Sequence, residues 1–139
     1  MAYRPPIYGM ISKKIALEKV LDRFISVVAG VSGIAVLTRD GLPIATRFRS
    51  DTPEEVVGAM SASMLAIGER VAMEFGHGDL EKVLVIGKTG YTMLIGAGPD
   101  AMVVAILPKE AKIGLVMLEL KRASEKIEKI VSEYIFEVP

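Results

Sequence analysis

Residues 56–68 read Val-Val-Gly-Ala-Met-Ser-Ala-Ser-Met-Leu-Ala-Ile-Gly and carry no charge at any position. The run follows Asp51-Thr52-Pro53-Glu54-Glu55, which reads as a helix start. A capping residue, an early proline and acids near the positive helix end all favour it. Gly76-His77-Gly78 stops the helix, which is expected to reach about Phe75. A helix that is apolar around its whole circumference must be buried on more than one side. One helix lying on one sheet hides one side only, so this run constrains the chain more than any other feature.

At about 100° per residue the helix divides into two faces. Val56, Met60, Met64, Ile67 and Val71 form a bulky stripe, and the spacing predicts that this stripe packs on a sheet. The opposite side carries Gly58, Ser61, Ala62, Leu65, Ala66, Ala72 and Met73, most of them small. Gly58, Ala62, Leu65 and Glu69 follow a 4, 3, 4 spacing that lets a second helix approach closely. The expectation is a second copy of the same helix across a two-fold axis, the commonest way soluble chains associate. Glycine costs about 1 kcal/mol relative to alanine inside a helix, and close packing at Gly58 and Gly68 would offset it.

The remaining elements place this helix in an α/β chain. Residues 1–9, with Pro5, Pro6 and Gly9, read as an irregular lead-in. From Met10, the positions Ile11, Ile15, Val20, Leu21, Phe24, Ile25 and Val28 recur at helical spacing, ending near Gly30. Ser32–Arg39 suits a strand, Asp40-Gly41 a tight turn, and Pro43–Arg49 a returning strand. Arg47 and Arg49 are expected on a solvated face of that hairpin. After the middle helix come strands at Glu81–Ile86, Tyr91–Ala97 and Ala101–Leu107, joined by short turns as an antiparallel meander. A final amphipathic helix spans about Ala111–Val131, and residues 132–139 form a short tail, read as a strand or docking segment. The domain proper is therefore expected over residues 10–131. The order α-β-β-α-β-β-β-α, with helices on both faces of a five-stranded antiparallel-rich sheet, makes a three-layer sandwich.

Composition narrows the function. Lys+Arg and Asp+Glu both number 17 in a chain of 139 residues, so no basic field suggests nucleic acid. With no cysteine and a single histidine, His77, neither thiolate nor multi-histidine metal sites are expected, and no cofactor is implied. No apolar stretch reaches the roughly 20 residues of a membrane span, and the start lacks the apolar core of a signal peptide. The chain is expected to be cytoplasmic. Gly87-Lys88-Thr89 is a hairpin turn rather than a phosphate loop, because Lys82 stands where an earlier glycine is needed and a strand follows. Gly96-Ala97-Gly98 has no third glycine in register and no following helix. His77 has no identifiable base or nucleophile beside it, so no catalytic residues are assigned. The mean hydropathy of +0.42 is high for so small a chain, in keeping with apolar surface buried against another chain.

Several segments resemble the roadblock (dynein light chain) family. They are Asp40-Gly41-Leu42-Pro43-Ile44-Ala45, the middle helix from Ala59 to Arg70, Gly78-Asp79-Leu80-Glu81-Lys82-Val83, and Gly90-Tyr91-Thr92-Met93-Leu94. The resemblance covers roughly Ile11 to Val131 and implies a roadblock/profilin-like fold. It further implies a homodimer formed through the middle helices and the first meander strand, here Glu81–Ile86 with Val83 and Val85. The implied partner is a small Ras-like GTPase, as in the prokaryotic GTPase-associated group. Arg70, beside Glu69, is the candidate GTPase contact, with an ion pair as the plainer reading. A dynein-light-chain-like adaptor and a small-molecule sensor built on a similar sandwich are the alternatives.

Overall fold

The structure is a computed structural model that describes the backbone of residues 6–49 and 51–136, and the side chains of residues 11–49 and 51–132. Three helices and five strands follow in the order α1 (Pro6–Val27), β1 (Gly33–Thr38), β2 (Pro43–Phe48), α2 (Glu54–Glu74), β3 (Lys82–Ile86), β4 (Gly90–Gly96), β5 (Ala101–Pro108) and α3 (Ile113–Phe136). All strand pairs are antiparallel, in the order β2-β1-β5-β4-β3. The hairpin and the meander are fused by β1 lying against β5, with Gly33 opposite Ile106 and Thr38 opposite Ala101. This leaves β2 and β3 as the two edges.

Both outer helices extend beyond their expected limits. α1 begins at Pro6 rather than Met10, because proline lacks only an N–H that the first turn leaves unbonded anyway. α3 runs through Phe136, so Tyr134, Ile135 and Phe136 continue a helix instead of forming a strand or a separate tail. Residues 1–5 of the expected lead-in, and 137–139 of the expected tail, lie outside the described residues. At the start of α2 the cap position is held by Pro53, with no side-chain hydrogen bond, so Asp51 and Thr52 do not cap it. The first-turn acids Glu54 and Glu55 are left to favour that end.

α1 and α3 cover one face of the sheet and α2 the other. On the α1–α3 side, Leu17, Leu21, Phe24, Val116, Leu120 and Ile127 from the helices meet Ile34, Val36, Met93 and Val103 from the strands. Tyr91 seals the edge of this core, its hydroxyl donating to the Ala111 carbonyl at 2.8 Å. Arg47 is not on a solvated face. Its guanidinium donates from Nε to Asp22 and from Nη1 to Glu18, both at 2.8 Å, clasping β2 to α1. The hydrogen bonds to Asp22 and then Glu18 raise its pKa still further above the ordinary arginine value.

The second core is built differently. The sheet supplies Leu37, Leu94, Met102 and Val104, with Phe48, Leu80 and Val83 around them. These large side chains occupy most of the gap to α2, so only a small-residue helix face fits against them. By length and composition α2 is the one described helix apolar enough to cross a bilayer, a test that its flanking charges had hidden in the sequence. In this fold it lies along the sheet.

Candidate functional site

The face of α2 that meets the sheet is the small one. Gly58, Ser61, Leu65 and Ala72 are buried, and Ala62 and Met64 pack against the same core while half-exposed. The expectation that Val56, Met60, Ile67 and Val71 would pack on the sheet is therefore corrected: they stand 50%, 62%, 65% and 45% exposed. The residues expected to meet a second helix are divided by the same finding. Gly58, Ser61, Leu65 and Ala72 are consumed within the monomer, whereas Ala66, Glu69 and Met73 are exposed.

The cause lies in two backbone approaches. The Gly58 Cα sits so close to the β1–β2 turn that an added Cβ would lie 2.2 Å from the Gly41 carbonyl oxygen. Gly41 itself has φ +89° and faces the Gly58 carbonyl in return. Nearer the other end, a Cβ on Gly68 would fall 2.7 Å from Val83 and 3.0 Å from Leu80. A bulky stripe could not take up this position. A sequence signal for the true orientation existed: Arg70 and Glu74 share the bulky side of the helix with Val56, Ile67 and Val71, and charged residues mark the wet side.

α2 lies askew on the sheet. Gly58 and Glu69 border the β1–β2 end, where Gly41 touches the helix and Arg39 forms an ion pair with Glu69. Gly68 borders β3. The exposed stripe, from Val56 through Met60 and Ile67 to Val71, therefore leans toward the β3 edge. β3 pairs only with β4, so its outer backbone is open. Val83 is half-buried under α2 and Val85, on the same face of β3, is 52% exposed, whereas Ile86 lies opposite Tyr91 on the α1–α3 face. Helix stripe and strand edge together form a continuous apolar surface of the kind that marks an interaction site.

Arg70 stands on this surface, 72% exposed, and donates from Nε to Glu74 at 3.0 Å. That i,i+4 pair is weak enough to exchange for an external partner. α2 holds four acids and one arginine, so the surface is apolar with an acidic fringe. Among the described residues no three His, Asp or Glu side chains converge on a metal-sized site. His77 sits outside the core beside Phe75, ring centroids 6.1 Å apart. A groove at the β2 edge, between Ile25, Val31, Phe48 and Arg49, encloses about 440 Å³ and is open to solvent.

Residues 17–107 match the model of the Roadblock/LC7 domain. The uncharacterized protein MJ1340 of Methanocaldococcus jannaschii is 36% identical over 98 residues, covering 70% of this chain and 85% of that protein. Among solved structures, the gliding protein MglB from Thermus thermophilus superposes with a TM-score of 0.78 at 21% identity, over 96% of each chain. A Roadblock/LC7 domain from Streptomyces avermitilis gives 0.75 at 18% identity, over 86% of this chain and 97% of that one. Profilin II of Acanthamoeba castellanii shares the outline more distantly, with a TM-score of 0.53 at 12% identity over 72% of this chain and 86% of that one.

Proposed function

This chain belongs to the Roadblock/LC7 family, and on that premise we propose that it works without catalysis, as a homodimeric scaffold that binds a small Ras-like GTPase and modulates its nucleotide cycle or location. The observation that carries the reading is the exposed stripe of α2 running into the open β3 edge. Two copies related by a two-fold axis perpendicular to the sheet would pair β3 with β3 and set the α2 helices side by side. Burying the exposed halves of Val56, Met60, Ile67, Val71 and Val85 is worth about 1 kcal/mol each, or about 5 kcal/mol per protomer. Association costs about 4–15 kcal/mol in lost freedom. Two such faces together with new β3 backbone hydrogen bonds meet that cost; the helix stripe alone is marginal.

The GTPase reading rests on the family and on the likeness to MglB. The α2 pair would present an apolar platform with an acidic fringe, on which Arg70 is the polar contact proposed for the GTPase. The test is to mix the protein with a small Ras-like GTPase and measure binding in the GDP and GTP states together with GTP turnover. Binding in at least one state, weakened by Arg70→Ala, is expected. Absence of binding in both states overturns the proposal.

A further inference from the structure

Although the chain is neutral as a whole, its charge is sorted between the two sides of the sheet. α1 carries Lys13, Lys14, Lys19 and Arg23 against Glu18 and Asp22, and Arg47 engages both of those acids from the β2 side. α2, on the far side, carries Glu54, Glu55, Glu69 and Glu74 against Arg70. α3 adds Lys121, Arg122, Lys126 and Lys129 against Glu119, Glu125, Glu128 and Glu133, so the two outer helices hold eight bases and six acids where α2 holds one base and four acids.

The cations of the outer layer converge. α1 and α3 run antiparallel, with Lys13 Nζ donating to the Val131 carbonyl at 3.2 Å. Further along, Arg23, Arg122 and Lys126 rim a shallow crevice floored by Val20, Phe24 and Ala123. Lys19 lies one turn before Arg23, and all four cations are exposed. The acid in this crevice, Glu119, is buried and held by Arg122 at 3.1 Å. Among the described residues no carboxylate forms an ion pair with Lys19, Arg23 or Lys126. Exposed aliphatic groups accompany them: Ile15 on α1, Leu115 and Leu118 on α3, between 36% and 49% exposed.

We propose that the α1–α3 face docks on an anionic lipid surface. Unpaired lysines and arginines interleaved with aliphatic side chains match headgroup phosphates above acyl chains, the complementarity used by peripheral membrane helices. The crevice is too shallow to seat an acidic side chain in a fixed pose, so the charges are displayed as an array and suit laterally mobile headgroups. The inference gains strength from the proposed dimer, on which it partly rests. A two-fold axis perpendicular to the sheet turns both α1–α3 layers the same way and doubles the array on one plane. The acidic α2 face then points away from the membrane, toward soluble partners.

The test is flotation of the full chain with phosphatidylcholine vesicles and with vesicles that also contain phosphatidylglycerol, at low and high salt. Binding is expected only to the anionic vesicles, falling as salt screens it. A Lys19→Glu/Arg23→Glu/Lys126→Glu variant, its fold checked by circular dichroism, is expected to lose about 100-fold in partitioning. The corresponding alanine variant should lose less and in the same direction. Equal binding to both vesicle types, no binding to anionic vesicles, or full binding by the charge-reversed variant each overturns the proposal. Binding to polyglutamate but not to vesicles also overturns it, in favour of an acidic protein partner. Light scattering on the same sample separates the dimer reading: a monomer that still binds anionic vesicles refutes the dimer and keeps the lipid face, and a dimer that binds none does the reverse.

Discussion

At Gly58 one hydrogen decides where a helix lies. Replacing it with a methyl group normally stabilises a helix by about 1 kcal/mol. Here the new carbon would sit 2.2 Å from a backbone oxygen that belongs to a tight turn and cannot step aside. We expect Gly58→Ala to lower stability by about 2 kcal/mol in urea denaturation, because the displaced turn outweighs the gain in propensity. A stabilised variant would show that α2 does not rest on the Gly41 turn. Tyr91 offers a second residue-scale test. Burial raises its pKa above the ordinary value of 10.0, so the folded state holds the phenolic proton longer than the unfolded state does. Its contribution is complete below about pH 10 and is lost as pH rises through the folded value. Alkaline denaturation should therefore include a component that Tyr91→Phe removes. That variant should also be about 1 kcal/mol less stable at neutral pH, since the Ala111 carbonyl loses its donor.

At the scale of one element, α2 presents its two faces to different surroundings, and paired substitutions distinguish them. Leu65 is 5% exposed within the second core, so Leu65→Glu should unfold the chain rather than separate two copies. Ile67, two positions on and 65% exposed, is the proper probe. Ile67→Glu should leave the circular dichroism spectrum and the stability of the isolated fold intact, while light scattering shows monomers. A folded dimer carrying Ile67→Glu would move the interface elsewhere. The clasp between β2 and α1 makes a smaller claim. Arg47 bonds two carboxylates yet is a third exposed, so Arg47→Ala should cost no more than about 1 kcal/mol, and less in high salt.

For the whole molecule, the joined apolar surface of α2 and β3 predicts that stability depends on protein concentration. If two chains share that surface, melting temperature should fall on dilution, as mass action requires of any state that binds its own copy. A melting temperature unchanged over about a 100-fold dilution would remove the dimer from the account of stability. The polarity of charge across the sheet belongs to this scale too. Neither α1 nor α2 shows it alone, and it emerges only when Arg47 takes up Glu18 and Asp22 and leaves Lys19 and Arg23 without a carboxylate partner among the described residues.

Local patterns carry their meaning in the chain itself, which is why the order of elements, the hairpin at Asp40-Gly41 and the antiparallel meander were readable before any coordinates. Period, turn chemistry and capping act between residues a few positions apart. The uncharged run 56–68 also announced, by itself, a helix with more apolar surface than one sheet can cover. Within the run neither face is marked for the interior, because both are apolar; only Arg70 and Glu74, beyond it, tag the bulky side as wet. Volume ranked them: Leu37, Leu94, Met102 and Val104 fill the space above the sheet, and Gly41 admits only Gly58. Those partners come from strands distant in sequence. The inward turn of the small face, and with it the outward display of Val56, Met60, Ile67 and Val71, was therefore settled by tertiary packing.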